Sequence, residues 1–461
     1  MQLISRLRLH ARLKAVLDKF FPPPSSTWQH IRQNLIIGLL VVFVLSLLQE
    51  SDSLRAGRER SIDWLTSMQR GVTVTEGRDF RPFVFYDIDD ATHSAWGEPF
   101  HVPRPQLAAL IERALLRKPA LLIIDVELQR PSEDDQALLD LLRQQASLAE
   151  TTTLVFLRSF RWQGRDSGTP HLVARPSFLD KQLPRSQFQI WASPLFERDP
   201  DGQVRRWQPW QLACAPDGTA LLTPSVQMEA LAVIGGTTAS QQLLEALAAA
   251  TPASCQPGAS LSGTAFVIGK HRFSPNADRY GQRILYALPW LLESDEARPL
   301  VDFAGRPTRL LSILPARAVL DGGVLPDVPP GHIAIIGASN EDARDIHMTP
   351  LGPMPGSLIL INAIHSLLQY GQLSPPSIWL QLASAALLLV IVSLIFVRFP
   401  SVNGRRISFA AIIVLLVPLS MYFFRYGIWL DFIFPLSAVT AFQSITDHRK
   451  KISEGDNTHA A

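Results

Sequence analysis

The sequence has few cysteines and little excess charge, and both shortages exclude classes of protein. Its 461 residues contain two cysteines, Cys214 and Cys255, and neither has a cysteine or histidine partner at metal-ligand spacing. They therefore do not form a zinc site. The formal net charge is +2. A nucleic-acid-binding protein usually carries a concentrated basic surface, so nucleic acid is not an expected partner.

The two cysteines leave two alternatives open. Outside the cytoplasm, Cys214 and Cys255 can form one disulfide. Their spacing in the sequence does not decide whether the Cα atoms come within bridging distance. We therefore expect either one disulfide or two free thiols.

The sequence also lacks the short motifs of common catalytic and cofactor sites. No G-x-G-x-x-G follows a strand, no histidine pair has the H-x-x-x-H spacing, and no G-x-S-x-G is present. We therefore expect no cofactor, no metal ion and no enzymatic activity.

Long hydrophobic runs are present, and they are concentrated near the two ends of the chain. The clearest is Ile378–Val397, twenty residues without a charge, which is long enough to cross the hydrocarbon core of a membrane. The N-terminal candidate is shorter, and Trp28 and Arg32 extend it toward the membrane interface. The predicted spans are residues 31–49, 378–397, 407–424 and 428–445.

Basic residues indicate how these spans are oriented. Residues 1–30, the loop 398–406 and the tail 446–461 are rich in arginine and lysine. Positively charged loops remain in the cytoplasm, so these three segments are predicted to be cytoplasmic. Residues 50–377 then lie outside it. We expect a multi-pass protein of the inner (plasma) membrane with its main domain in the periplasm.

The segment between the anchors predicts an α/β extracytoplasmic domain with a mainly parallel sheet. Short, almost continuous apolar runs alternate with amphipathic stretches, as in sheets whose two faces are both covered by helices. The predicted strands are Phe83–Ile88, Ala120–Val126, Thr153–Phe156 and His332–Gly337, with weaker candidates at Phe188–Ala192, Ala265–Ile268 and Ile284–Ala287.

Charged and polar residues follow several of these strands. Ligands of open parallel sheets bind beyond the carboxyl ends of the strands. Arg104 is placed to grip an anionic ligand or to neutralise the acids. The alternative is that Arg104 has a structural role. In that case we expect Arg104 to pair with Asp125, and the loop 345–349 to be the functional element. The candidate ligand-binding residues are Asp87, Asp89, Arg104, Asp125, Asp345 and Thr349.

Five motifs occur in a fixed order along the same segment. The closing motif, I-I-G-A-S followed by D, T-P and P-G, is the most specific of them. The matching residues are Tyr86-Asp87-Ile88-Asp89; Pro103-Arg104; Ile123, Ile124 and Asp125; Asp199, Asp201, Gly202, Arg205 and Arg206; and Ile335–Ser339, Asp345, Thr349, Pro350, Pro355 and Gly356, with Asn362 beyond.

With these motifs the chain resembles the type-two CHASE domain, a sensory extracellular domain associated with bacterial cyclases and histidine kinases. The resemblance implies one N-terminal and three C-terminal spans, which is the layout predicted above from hydropathy. The chain departs from the family at Leu360-Ile361, where members often have His-Ala. Only sixteen residues follow Ile445, so we expect no output domain of its own.

The expected function is that of a membrane-bound extracytoplasmic sensor. It would bind a small ligand or a protein and signal to a separate effector, such as a cyclase, a kinase or another membrane component. The alternative is an envelope interaction or scaffold protein that transmits nothing. An envelope enzyme that uses the strand-end carboxylates is the least favoured hypothesis.

Overall fold

A computed structural model of the protein describes residues 51–70, 80–148, 152–164, 170–182, 188–215, 218–252, 255, 265–274, 277, 279–290, 298–373 and 417–431, with isolated positions nearer the two ends. The chain divides into two compact units. The first comprises Met1–Leu65 and Pro375–Ala461, and the second is Thr66–Ser374.

The predicted membrane spans belong to the first unit. Most of 31–49, 378–397 and 428–445 and part of 407–424 lie outside the described residues, as do almost all of 1–30 and all of 446–461. Within the part of the chain that is described, no helix combines the length and the apolar composition of a membrane span.

An ion pair is present in the described part of the first unit. The Arg58 Nε donates to Asp431 Oδ2 at 2.6 Å, and its guanidinium lies 5.3 Å from the centroid of the Trp429 ring. The Asp431 side chain, 5% exposed, is thereby neutralised where it is buried. This places Asp431, an acid inside the predicted span 428–445, against a cation.

The helices of the described residues are numbered in chain order. They are α1 (Asp52–Met68), α2 (Asp90–Ala95), α3 (Arg104–Leu115), α4 (Asp135–Ala146), α5 (Val226–Ile234), α6 (Gly236–Ala250), α7 (Ala316–Leu320) and α8 (Gly356–Tyr370). Short 3-10 turns occur at Phe178–Lys181 and Glu341–Ala343.

The strands are short, as is usual in globular domains. They are β1 (Phe83–Ile88), β2 (Leu121–Ile124), β3 (Thr153–Leu157), β4 (Phe160–Gln163), β5 (His171–Ala174), β6 (Gln189–Ala192), β7 (Phe196–Arg198), β8 (Val204–Trp207), β9 (Trp210–Cys214), β10 (Ala220–Pro224), β11 (Phe266–Ile268), β12 (His271–Phe273), β13 (Leu300–Phe303), β14 (Arg306–Arg309), β15 (Leu311–Pro315), β16 (Ile333–Ala338), β17 (Ile346–Thr349) and β18 (Gly352–Pro355).

A six-stranded sheet forms the centre of the second unit, in the order β15-β1-β16-β2-β3-β6. Every neighbouring pair in it is parallel. β1 and β2 are buried along their whole length, because helices cover both faces of the sheet. The prediction of an α/β domain with a mainly parallel sheet is confirmed.

Alternation along each strand divides the core between the two faces of the sheet. Phe83 and Phe85 pack on one face with α5, α6 and α8, whereas Val84 and Tyr86 pack on the other with α3 and α4. Successive side chains of a strand point to opposite faces. Asp87 is two residues beyond Phe85, so it lies on the face of the sheet that α8 covers.

The middle of the unit contains smaller sheets. A four-stranded sheet has the order β10-β9-β5-β4, and four two-stranded sheets pair β7 with β8, β11 with β12, β13 with β14 and β17 with β18. The disulfide Cys214–Cys255 ties β9 to a later segment, with the two Cα atoms 5.5 Å apart.

The strand predicted at Ile284–Ala287 is wrong. These residues belong to no strand. Side chains of α8 accept two of their backbone N–H groups, and Ile284 N donates to Arg205 O at 2.8 Å. Leu285 N donates to Ser366 Oγ at 3.1 Å, and Ala287 N donates to Asn362 Oδ1 at 3.0 Å. The segment Ile284–Ala287 is therefore held in part by side chains of α8.

Candidate functional site

Two of the predicted acids lie at the same level of the central sheet. In the register of β1 and β16, Asp87 is opposite Gly337. Asp125 directly follows β2, and its N–H donates to Ile336 O at 2.8 Å, so it flanks Gly337 on the other side. Adjacent strands are about 4.8 Å apart, which places the two aspartate Cα atoms about 10 Å apart across the glycine.

The start of α8 fills the space above that glycine. A Cβ atom on Gly337 would lie 1.9 Å from Ser357 Oγ and 3.4 Å from the Asp125 Cβ, so only glycine fits beneath the helix. Ser357 Oγ donates to Asp125 Oδ2 at 2.6 Å. The first turn of α8 is thus hydrogen-bonded to the end of β2.

Both acids are held in surroundings that favour the protonated form. Burial and the neighbouring Asp345 raise the pKa of Asp125 to about 7, although the Ser357 hydroxyl opposes the shift. Burial raises the pKa of Asp87 to about 7 as well. Asp87 Oδ2 accepts a 2.8 Å hydrogen bond from Ser339 Oγ.

Asp345, which neighbours Asp125, is linked through His347 to strand β7. His347 Nε2 lies 3.0 Å from Asp345 Oδ1, and His347 Nδ1 lies 3.0 Å from Nη2 of Arg198 on β7. Because arginine only donates, Nδ1 accepts and Nε2 carries the proton toward Asp345. Gly356 permits this arrangement, since a Cβ there would lie 2.2 Å from Asp345 Oδ2.

Two other predicted residues have local structural contacts. Asp89 is the N-cap of α2, and its Oδ1 accepts from Thr92 N at 2.8 Å. Thr349 is buried in the β17–β18 hairpin, where its Oγ1 donates to Gly352 O at 2.8 Å. The structure thus brings Asp125 and Asp345 together and places Asp87 across Gly337 from Asp125, while Asp89 and Thr349 stabilise turns beside them.

The predicted pair of Arg104 with Asp125 is wrong. Arg104 begins α3, and α3 packs on the face of the sheet opposite to α8. Its Nε donates to Asp135 Oδ1 at 3.1 Å, and its guanidinium lies 5.3 Å from the Phe178 ring centroid. The sequence order of Arg104 and Asp125 does not reveal which layer each side chain enters.

Three residues of the cluster were not predicted. Ser339 and Ser357 supply the hydroxyls, and His347 supplies the imidazole. Ser339 is the last residue of the I-I-G-A-S element of the closing motif, Ser357 follows its Gly356, and His347 lies between Asp345 and Thr349. These positions in and beside the motif were the signal that could have indicated the three residues. We will call Asp87, Asp125, Ser339, Asp345, His347 and Ser357 the carboxylate cluster.

The carboxylate cluster combines buried acids of raised pKa with the N-terminal end of a helix. The N-terminal end of a helix carries partial positive charge, and α8 begins at this site. Ser339 and Ser357 each donate to a carboxyl, so neither hydroxyl is paired with an imidazole that would activate it as a nucleophile. Across the described residues, no group of three or more His, Cys, Asp or Glu is arranged to hold a metal ion.

Comparison with known proteins gives one match. The family model of the CHASE2 domain matches residues 36–397. No curated protein and no solved structure gives a significant match to the chain.

Proposed function

The chain belongs to the CHASE2 domain family, and on that premise we propose that it is a membrane-bound sensor whose periplasmic domain passes a ligand-induced change to a separate effector. CHASE2 domains are sensory extracellular domains. The proposal adds four membrane spans, cytoplasmic termini and an effector such as a cyclase, a kinase or another membrane component.

The position of α8 carries this proposal. Its first turn is bonded to Asp125 through Ser357, and it is the last helix of the unit Thr66–Ser374. The predicted span 378–397 follows it in the sequence. A change at the carboxylate cluster therefore acts on the element that leads toward the membrane.

The chemistry of the carboxylate cluster supports ligand binding over a purely structural role. Asp87 and Asp125 carry raised pKa values and accept directly from hydroxyl groups. A cationic or hydrogen-bonding ligand would stabilise their ionised form, and buried acids with shifted pKa values are common at functional sites. We propose binding and not catalysis, because the serine hydroxyls lack an activating imidazole.

The test uses the full chain purified in detergent. Small molecules and ions are screened by thermal shift, and each one that binds is followed by hydrogen exchange. A ligand of the sensor is expected to change the exchange of residues in α8, and Asp125→Asn is expected to abolish that change. Asp140→Asn, at an exposed site on α4, is the matched control and should behave as wild type.

A scaffold protein gives a different result. It would retain the same partner from host membranes in the wild-type and Asp125→Asn forms, and no small ligand would alter the exchange of α8. That outcome would replace the sensor proposal with the scaffold alternative.

A further inference from the structure

A cavity of about 1100 Å³ lies at the edge of the central sheet, beside β6. None of the residues of the carboxylate cluster lines it. Its walls are largely apolar and aromatic, with Phe156, Ile190, Trp191, Leu222 and Leu243 among them. Ligand sites are typically concave and apolar with a few polar groups that fix the orientation of the ligand.

Glu229 is the buried acid of this cavity. It belongs to α5, is 8% exposed and lines the wall. Burial raises its pKa to about 7. Removing a carboxylate from water without a cation beside it costs free energy, and a cationic ligand bound next to the acid would lower that cost.

The arginine that lines the same cavity is already neutralised. Arg158 donates to both carboxylate oxygens of Asp180, at 2.8 and 2.7 Å. Its guanidinium also lies 3.9 Å from the centroid of the Trp191 ring. Arg158 is therefore committed to Asp180 and Trp191, and Glu229 has no cationic neighbour among the described residues that line the cavity.

Helical periodicity directs Glu229 toward the cavity. Glu229 and Val233 are four residues apart on α5, and both line it. Thr237, Gln241 and Leu244 form the corresponding stripe on α6. The cavity is thus bounded by one face of each helix.

We propose that this cavity binds a small hydrophobic cation, an arylalkyl- or alkylammonium ion, whose ammonium group pairs with Glu229 and whose hydrocarbon part packs on the apolar side chains of the wall. An ammonium donates three hydrogen bonds and accepts none, which matches the Glu229 carboxylate. The inference rests on the proposed sensor function only for the claim that binding is signalled.

The test measures binding of 2-phenylethylammonium and hexylammonium to the full chain by calorimetry. Wild type should bind at least one of them, and the neutral analogue 2-phenylethanol should bind more weakly. Glu229→Gln preserves shape and should weaken ammonium binding at least about tenfold, the effect of losing one charged hydrogen bond. Glu112→Gln, the same change at an exposed site on α3, should leave it unaltered.

The pH dependence gives a second readout. Ammonium binding needs ionised Glu229, so the apparent affinity should fall about tenfold from pH 8 to pH 6, as the ionised fraction falls. Burial opposes ionisation of Asp180, yet hydrogen bonds from Arg158 keep the pKa of Asp180 below its usual range, so Asp180 does not change charge between pH 6 and pH 8. On the helices packed against α5, Glu245 is exposed and His365 packs on aromatic rings, and neither lines the cavity.

Two results would overturn the inference. They are the absence of binding of both ammonium ions to wild type, and equal binding to wild type and Glu229→Gln. A different result bears on the sensor proposal alone: binding that requires Glu229 but leaves the hydrogen exchange of α8 unchanged would establish the cavity as a binding site without a signalling role.

Discussion

Asp87 is a buried acid whose carboxyl accepts from a hydroxyl, Ser339 Oγ. Burial raises its pKa from 3.8 to about 7. The folded state therefore binds this proton more tightly than the unfolded chain does. Between about pH 4 and pH 7 the contribution of Asp87 to the free energy of unfolding must then fall as the pH rises.

This pH dependence leads to a prediction for Asp87→Asn. The variant cannot ionise, so its free energy of unfolding should fall less than that of wild type between pH 5 and pH 8, with a difference on the order of a few kcal/mol. Denaturant unfolding of the full chain at several pH values measures it. Asp302→Asn, at an exposed position, should keep the wild-type slope. A variant with the same slope as wild type would show that Asp87 remains ionised.

The ion pair between Arg104 and Asp135 is the second prediction at this scale. The side chain of Arg104 is 2% exposed and that of Asp135 is 11% exposed. Asp135→Asn leaves a buried guanidinium without its counter-charge and should lower the free energy of unfolding by about 3–5 kcal/mol. Asp140→Asn breaks an exposed pair with Arg143 and should cost at most about 1 kcal/mol. Equal losses in a denaturant titration would contradict this difference.

At the scale of elements, the disulfide makes a testable contribution. Cys214 and Cys255 are 41 residues apart, so the bond restricts a long loop of the unfolded chain. Loop-closure entropy predicts about 4 kcal/mol of stabilisation. Reductant should therefore lower the midpoint of thermal unfolding. The double variant Cys214→Ser, Cys255→Ser should start from a lower midpoint and show no response to reductant; a response in that variant would point to an effect unrelated to this bond.

The elements differ in how well their sequences predicted them. β1 has the predicted bounds, because a run in which five of six residues are apolar or strand-favouring, buried on both faces, has few alternatives. β15 was not predicted, although it pairs with β1 at the edge of the sheet. Its residues Leu311–Pro315 form a short apolar run, which is compatible with a strand or with part of a helix. Only pairing with β1 resolves that ambiguity.

For the whole molecule, the prediction concerns topology. Basic segments are expected to remain in the cytoplasm, with residues 50–377 on the other side of the membrane. A reporter fused at residue 200 should be active only in an extracytoplasmic assay, and reporters at residues 402 and 461 only in a cytoplasmic one. Cytoplasmic activity at residue 200 would contradict the proposed topology, and fusions expressed to equal levels provide the control.

The sequence by itself determined the α/β class of the domain, its principal parallel strands and its membership of the family. These follow from local patterns, because burial on both faces requires apolar strands and close backbone approach requires glycine at Gly337. It also placed Asp87 and Asp125 at strand ends, where parallel pairing brings them to one edge of the sheet.

Only the tertiary structure decided which partner each charged side chain finds. Arg104 meets Asp135 and not Asp125, because α3 and α8 cover opposite faces of the sheet. Glu229 was not predicted from the sequence, since part of its environment is made by β3 and β6, which are remote from it in the chain. Electrostatic energies depend on distance and burial, and both are set by packing between layers.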